Sequence, residues 1–222
     1  MSTHRQTARL HRLAVALALT GCAAAQAAPI SLSNAGFEAN WTNASFVGSD
    51  GFVTFNYSPT GPAVGWNFGA GTGVAGSYSL LSAYEGSRFG FLQTQTQALS
   101  QSFTLADAQQ VELNFALALR QRYAAGQVVR VSIDNQTVAD VAATTAGWSL
   151  QSLSLGTLSA GNHLLAFEGL SGNSGDTTAF IDAVALDGTA VSTGGTVPEP
   201  HSLALVATAL AGLGALRRRR AG

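Results

Sequence analysis

The chain has 222 residues, of which only 10 % are charged, and it contains no lysine. Across residues 28–196 four arginines stand against eleven acids, a net charge of −7, while Arg5, Arg9 and Arg12 open the chain and Arg217 to Arg220 close it. An acidic middle excludes a phosphate-binding face of the kind nucleic acid requires, and a single cysteine, Cys22, excludes an internal disulfide.

Basic residues between His4 and Arg12 precede an apolar run, Leu13 to Leu19, and then a small-residue stretch. This order predicts a secretory signal peptide over residues 1–27. Ala25-Gln26-Ala27 follows the small-x-small rule and puts the mature start at Ala28. Two alternatives stand beside it. Leu19-Thr20-Gly21-Cys22 resembles a bacterial lipobox, which makes Cys22 a lipidated first residue, and an uncleaved anchor is the third reading.

Beyond the leader the periodicity is two. Weak strand patterns cover Phe52 to Tyr57 and Arg88 to Leu92, and the glycine-rich stretch Gly69 to Tyr78 reads as a loop. Alternation then becomes strong at Leu99/Gln101/Phe103/Leu105 and in Val111 to Arg120, where Val111, Leu113, Phe115, Leu117 and Leu119 fall on one side. Side chains of a strand alternate between faces, so each such run is a strand with one buried side. Val129/Val131/Ile133, Leu150 to Leu155, His163 to Phe167 and Phe180/Asp182/Val184/Leu186 continue the series. Turns are expected at Asp134-Asn135, Ala160-Gly161-Asn162 and Ser171-Gly172-Asn173. About nine to eleven short strands without a convincing helix predict an all-β sandwich or jelly roll over residues 28–186. The Gly/Ser/Thr-rich residues 187–196 read as a linker.

Ser33-Asn34-Ala35-Gly36-Phe37-Glu38 resembles the N-x-G-F-E opening of galactose-binding-like and carbohydrate-binding-module jelly rolls. Gly65-Trp66 is similar to their G-W element, and Phe180-Ile181-Asp182-Ala183-Val184-Ala185-Leu186 to their closing F-I-D-D-V-x-L strand, with Ala183 in place of the second acid. The resemblance implies that first and last strands lie close together, often with a structural calcium between them. Glu38 and Asp182 are the matching carboxylates, and calcium collects oxygen ligands of this kind. The alternative is that Glu38 bonds backbone amides while Asp182 sits solvated on a polar strand face.

The resemblance also implies sugar binding through exposed rings and polar groups. Trp66, Tyr78, Tyr84, Tyr123 and Trp148 are the candidate platforms, with Arg120, Arg122 and Gln93 as polar partners. The competing reading places Trp66 and Trp148 in the core and leaves Arg120 to Tyr123 as a solvated strand end. Catalysis finds no support: His163 is the one histidine between residues 28 and 196, no serine stands in a G-x-S-x-G elbow, and no acid pair is singled out. A zinc site is not expected either, for want of a Cys pair or His cluster.

The chain ends in Val197-Pro198-Glu199-Pro200, an apolar stretch Leu203 to Leu216, and Arg217-Arg218-Arg219-Arg220. As a helix, residues 201–216 span roughly 24 Å, slightly short of the ~30 Å hydrocarbon core, and the arginines stay on the cytoplasmic side. Residues 197–222 resemble the PEP-CTERM sorting signal of Gram-negative bacteria. That resemblance implies processing by an exosortase at Pro198-Glu199-Pro200, transient anchoring in the inner membrane, and a final place on the cell surface or in the extracellular matrix, associated with exopolysaccharide and biofilm. The expected function is a non-catalytic carbohydrate-binding or adhesion module. A structural scaffold without a small ligand and a polysaccharide-acting enzyme are the alternatives.

Overall fold

The computed structural model describes residues 26–41, 54–76, 81–93, 95, 98–120, 126–171 and 177–191. They form twelve strands and no helix: β1 (Ala28–Ile30), β2 (Phe55–Tyr57), β3 (Asn67–Phe68), β4 (Thr72–Ala75), β5 (Phe89–Gln93), β6 (Leu99–Leu105), β7 (Gln109–Leu119), β8 (Gln127–Ile133), β9 (Gln136–Ala143), β10 (Ser149–Leu158), β11 (Gly161–Gly169) and β12 (Thr178–Ala190). A seven-stranded sheet runs β10-β7-β12-β5-β4-β2, with β1 also on β12, and a five-stranded sheet runs β3-β6-β11-β8-β9. Every pairing is antiparallel. From β5 onward the chain passes between the sheets at nearly every connection, the β8–β9 hairpin excepted. That alternation is jelly-roll connectivity.

The five odd-numbered residues of the strongest run behave as their period demands. Val111, Leu113, Phe115 and Leu117 are almost wholly buried, and Leu119 is partly so. They meet Leu99, Phe103, Val129, Val131, Leu165 and Phe167 of the facing sheet. Removing a side chain such as Leu113 from this layer is expected to cost about 2–5 kcal/mol. The Asp134-Asn135 hairpin takes φ of 51° and 66° at its two central residues, which is the primed turn that matches strand twist.

Three expectations need correction. Gly69 to Tyr78 is not all loop, because β4 lies inside it. Its Thr-Gly-Val-Ala sequence is small because β4 is covered on both sides: a Cβ at Gly73 would lie 2.5 Å from Phe91 Cζ and 2.1 Å from Asn56 O. The last strand does not stop at Leu186; Asp187 to Ala190 pair with β7, and Asp187 and Gly188 also with β1. Nor does strict alternation hold along that strand. A bulge between Asp182 and Ala185, with Ala183 at φ 49°, turns Val184 and Leu186 into the main core and leaves Phe180 and Asp182 on the opposite face.

Candidate functional site

The outer face of the seven-stranded sheet is not polar. Phe89, Phe91, Phe180, Ala75 and Ala118 form a second apolar cluster there, with Phe55, Leu81, Ala83 and Trp148 packed on it. Register explains the grouping, because Tyr57 pairs with Gly73, Gly73 with Phe91, Phe91 with Phe180, and Phe180 with Ala118. Small residues, Gly73 and Ala118, flank the paired rings Phe91 and Phe180 along this row, so the rings have room to lie over their neighbours. Phe89 and Phe180 approach to 4.9 Å between centroids, and Tyr57 meets Phe91 edge-on at 5.0 Å.

Two rings of this layer reach solvent. Tyr57 is 37 % exposed and Tyr84 45 % exposed. Tyr84 stands edge-on to the half-buried Trp148 at 6.3 Å, and Trp148 stands edge-on to Phe89 at 5.7 Å. The Trp148 indole N–H donates to Ser82 O at 2.8 Å, which fixes the ring's orientation. At the other side the Tyr57 hydroxyl donates to Gln93 Oε1. Arg120 and Thr178 close the end of the face, joined by the Arg120 N–H to Thr178 O bond of 3.0 Å. Rings held edge-on to one another, each with a polar group nearby, present flat apolar surfaces at low entropic cost.

The segment that carries Tyr84 is fastened by two carboxylates. Asp182, fully buried, accepts from Tyr84 N–H at 2.8 Å, Glu85 N–H at 3.1 Å and Ala183 N–H at 2.7 Å. Its burial pushes the carboxyl up to about 6, against the pull of these N–H groups, with the Glu85 charge adding to the rise. Glu38 accepts from Ser87 N–H at 2.8 Å, Arg88 N–H at 2.7 Å and the Ser87 hydroxyl at 2.8 Å. Gly86, at φ +63°, packs so closely that a Cβ there would lie 2.5 Å from the Glu38 carboxyl carbon. Calcium needs six to eight oxygens turned toward one point. Here both carboxylates are turned toward hydrogen donors of one loop, and this donor set does not fit the ion. Among the described residues no group of three or more His, Cys, Asp or Glu side chains is placed to hold a metal.

His163 is buried on β11, with Nδ1 2.7 Å from Asp134 Oδ2 and Nε2 2.9 Å from Ser159 O. Both partners only accept, so the geometry favours the doubly protonated ring, and the pKa is raised chiefly by the Asp134 contact. This histidine ties the β8–β9 turn to the β10–β11 turn and stands apart from the aromatic face.

Of the residues singled out in the sequence, Tyr84 and Trp148 come together on the outer face with Gln93 and Arg120 at its end. Arg120 is 5 % exposed rather than a solvated strand end, since it belongs to the same face as Ala116 and Ala118. Trp66 does not belong to the face at all. It is 4 % exposed, stacks on Phe37 at 5.2 Å, and donates its indole N–H to Asn34 O, so it is a core residue closed to ligand. Asp182 is buried instead of solvated. Tyr78, Arg122, Tyr123, Cys22, Pro198, Glu199, Pro200 and Arg217 to Arg220 lie outside the described residues, as does the expected terminal helix. Sequence reasoning missed Tyr57 and Arg88. Phe55-Asn56-Tyr57 and Phe89-Gly90-Phe91 each alternate rings with small or polar residues, and that was the available signal.

Residues 196–220 match the family described as the PEP-CTERM protein-sorting motif. Comparison with curated proteins returns no match. Among solved structures the domain is similar to the Stig cyclase Fisc from Fischerella sp. TAU, with 17 % identity over 73 % of this chain and 98 % of that one, TM-score 0.46. It is also similar to the CBM22-1 xylan-binding domain of Paenibacillus barcinonensis Xyn10C, with 16 % identity over 60 % and 91 % of the two chains, TM-score 0.44. A family 35 carbohydrate binding module from Clostridium thermocellum follows, at 13 % identity over 54 % and 89 %, TM-score 0.41. At such scores the likeness carries no weight for ligand or activity. The chain carries a PEP-CTERM protein-sorting motif, the mark of an exported protein processed by an exosortase, behind an all-β sandwich of jelly-roll connectivity.

Proposed function

We propose that the protein is a surface-displayed, non-catalytic module that binds polysaccharide through the aromatic outer face of its seven-stranded sheet. The observation that carries this reading is the exposure of Tyr57 and Tyr84 above a buried layer of rings, where a solvated sheet face is ordinarily polar. Aromatic planes stack on the apolar faces of sugars, while Gln93 and nearby backbone groups serve the hydroxyls. Arg122 and Tyr123, next in sequence to Arg120, are proposed to extend the site. In this reading an exosortase releases the chain from the inner membrane, and the domain then resides in an exopolysaccharide or biofilm matrix. A glycan array probed with the purified full chain tests it: reproducible micromolar binding is expected, and silence across extended polysaccharides overturns it.

A second reading is supported by a separate feature. β10 is the outer strand of the seven-stranded sheet, and its ten residues contain no charge and no proline, with Leu150 67 % exposed. Unguarded edges of this kind pair with other strands. A scaffold that assembles through β10 predicts concentration-dependent oligomers in sedimentation that Leu150→Lys abolishes, together with a silent glycan array.

A further inference from the structure

We propose that Arg88 is the resident cation of this domain, its guanidinium filling the oxygen cradle next to Glu38 and fixing the 84–88 loop without calcium. The Arg88 Nη1 group donates to Glu38 O at 2.8 Å and Ala39 O at 2.7 Å, and Nη2 donates to Asn40 Oδ1 at 3.2 Å. Two main-chain carbonyls and one amide oxygen are the hard donors a metal ion would use, and here the planar fork takes all three. The Trp41 ring lies under the guanidinium, 4.6 Å from centroid to Cζ, and gives the charge a cation–π partner on its remaining side.

The exchange runs in both directions. While the Arg88 side chain binds the backbone of residues 38 and 39, the Arg88 backbone N–H is bound by the Glu38 carboxylate. Segment 38–40 and segment 87–88 are therefore locked by paired contacts that leave the Glu38 oxygens facing hydrogen donors. Asp182 holds the other side of the same loop through Tyr84 and Glu85. An ion placed between the two acids would sit against N–H groups whose partial charges repel it. A covalently attached cation also removes any dependence on the divalent-ion supply outside the cell. If the sugar-binding reading holds, Tyr84 keeps its position in chelator, because the loop that presents it is the loop so clamped.

Thermal unfolding of the full chain in excess calcium and in excess EDTA tests the proposal, with terbium luminescence sensitised by Trp41 as a second readout. The melting temperature is expected to be the same in both, and terbium to give no saturable signal. Arg88→Met, which keeps the apolar stem, is expected to melt roughly 5 °C lower or more, and Arg88→Lys, a charge without the fork, to fall between. A calcium-dependent rise in the wild-type melting temperature overturns the proposal, as does saturable terbium binding or an Arg88→Met protein as stable as wild type. The wild-type measurements decide the matter even where a variant fails to fold. Neither readout involves glycan, so their outcome is separable from that of the array.

Discussion

Asp182 gives the sharpest test of how the loop is held. Replacing it with alanine strands the N–H groups of Tyr84, Glu85 and Ala183, which it now binds at 2.7–3.1 Å. An unmet donor costs about 1–3 kcal/mol, and because Tyr84 and Glu85 are exposed, water relieves part of that. The expected loss is about 3 kcal/mol, or roughly 10 °C in melting temperature for a domain of this size. Asp182→Asn keeps one acceptor oxygen and is expected to lose less, about 1–2 kcal/mol. The pH dependence separates the two effects. The folded value of about 6 lies above the unfolded value of about 3.9. The folded state therefore binds the proton more tightly, and that stability is fully present below the unfolded value and lost as pH rises through about 6. Chemical denaturation at steps across this window should show a downward slope in the wild type that Asp182→Asn lacks. An unchanged slope in the Asn variant, or an Ala variant within a few tenths of a kcal/mol of wild type, refutes the reasoning.

Other outcomes follow from the packing. Gly73→Ala places a Cβ 2.1 Å from Asn56 O and 2.5 Å from Phe91 Cζ; it should cost about 1–3 kcal/mol and alter the near-UV signal of Tyr57, which leans on Phe91. Trp66→Ala should cost about 3–5 kcal/mol by thermal unfolding, as befits a core ring with a bonded indole N–H. His163, with its pKa raised by Asp134, contributes stability that is present below about 6.5 and fades as pH rises through the raised folded value. The deficit of His163→Gln relative to wild type should accordingly shrink toward alkaline pH, and an NMR titration should place the imidazole above its ordinary midpoint.

The strands with large alternating side chains were legible because their burial is set by one neighbour sheet. β6, β7 and β8 each show it, and the structure extends them by at most two residues. β9 was not legible. Its Gln-Thr-Val-Ala-Asp-Val-Ala-Ala sequence lacks large residues at every second place because it is an outer strand beside a register shift at Val131/Ser132. The bulge in β12 left no trace either, since an alanine at positive φ is held there by the surrounding contacts and not by its own preference. The same limit applies to the site. Tyr84 and Trp66 look alike in sequence, yet one is exposed and the other sealed, and the difference lies in which sheet face each segment covers. Glu38 and Asp182 were paired in sequence only as carboxylates for a calcium ion; that both fasten the 84–88 loop is visible only in the structure. Their hydrogen-donor partners, and Arg88 among them, came only with the fold.

The two exposed tyrosines are proposed to bind sugar. The direct measurement is the affinity of wild-type and Tyr57→Ala/Tyr84→Ala full chains for the polysaccharide selected on the array, with melting temperatures recorded alongside. Each ring–sugar stack is expected to contribute about 1 kcal/mol, so the double variant should bind roughly tenfold or more weakly while unfolding within a few degrees of wild type. Equal affinity in the double variant and the wild type contradicts sugar binding through Tyr57 and Tyr84.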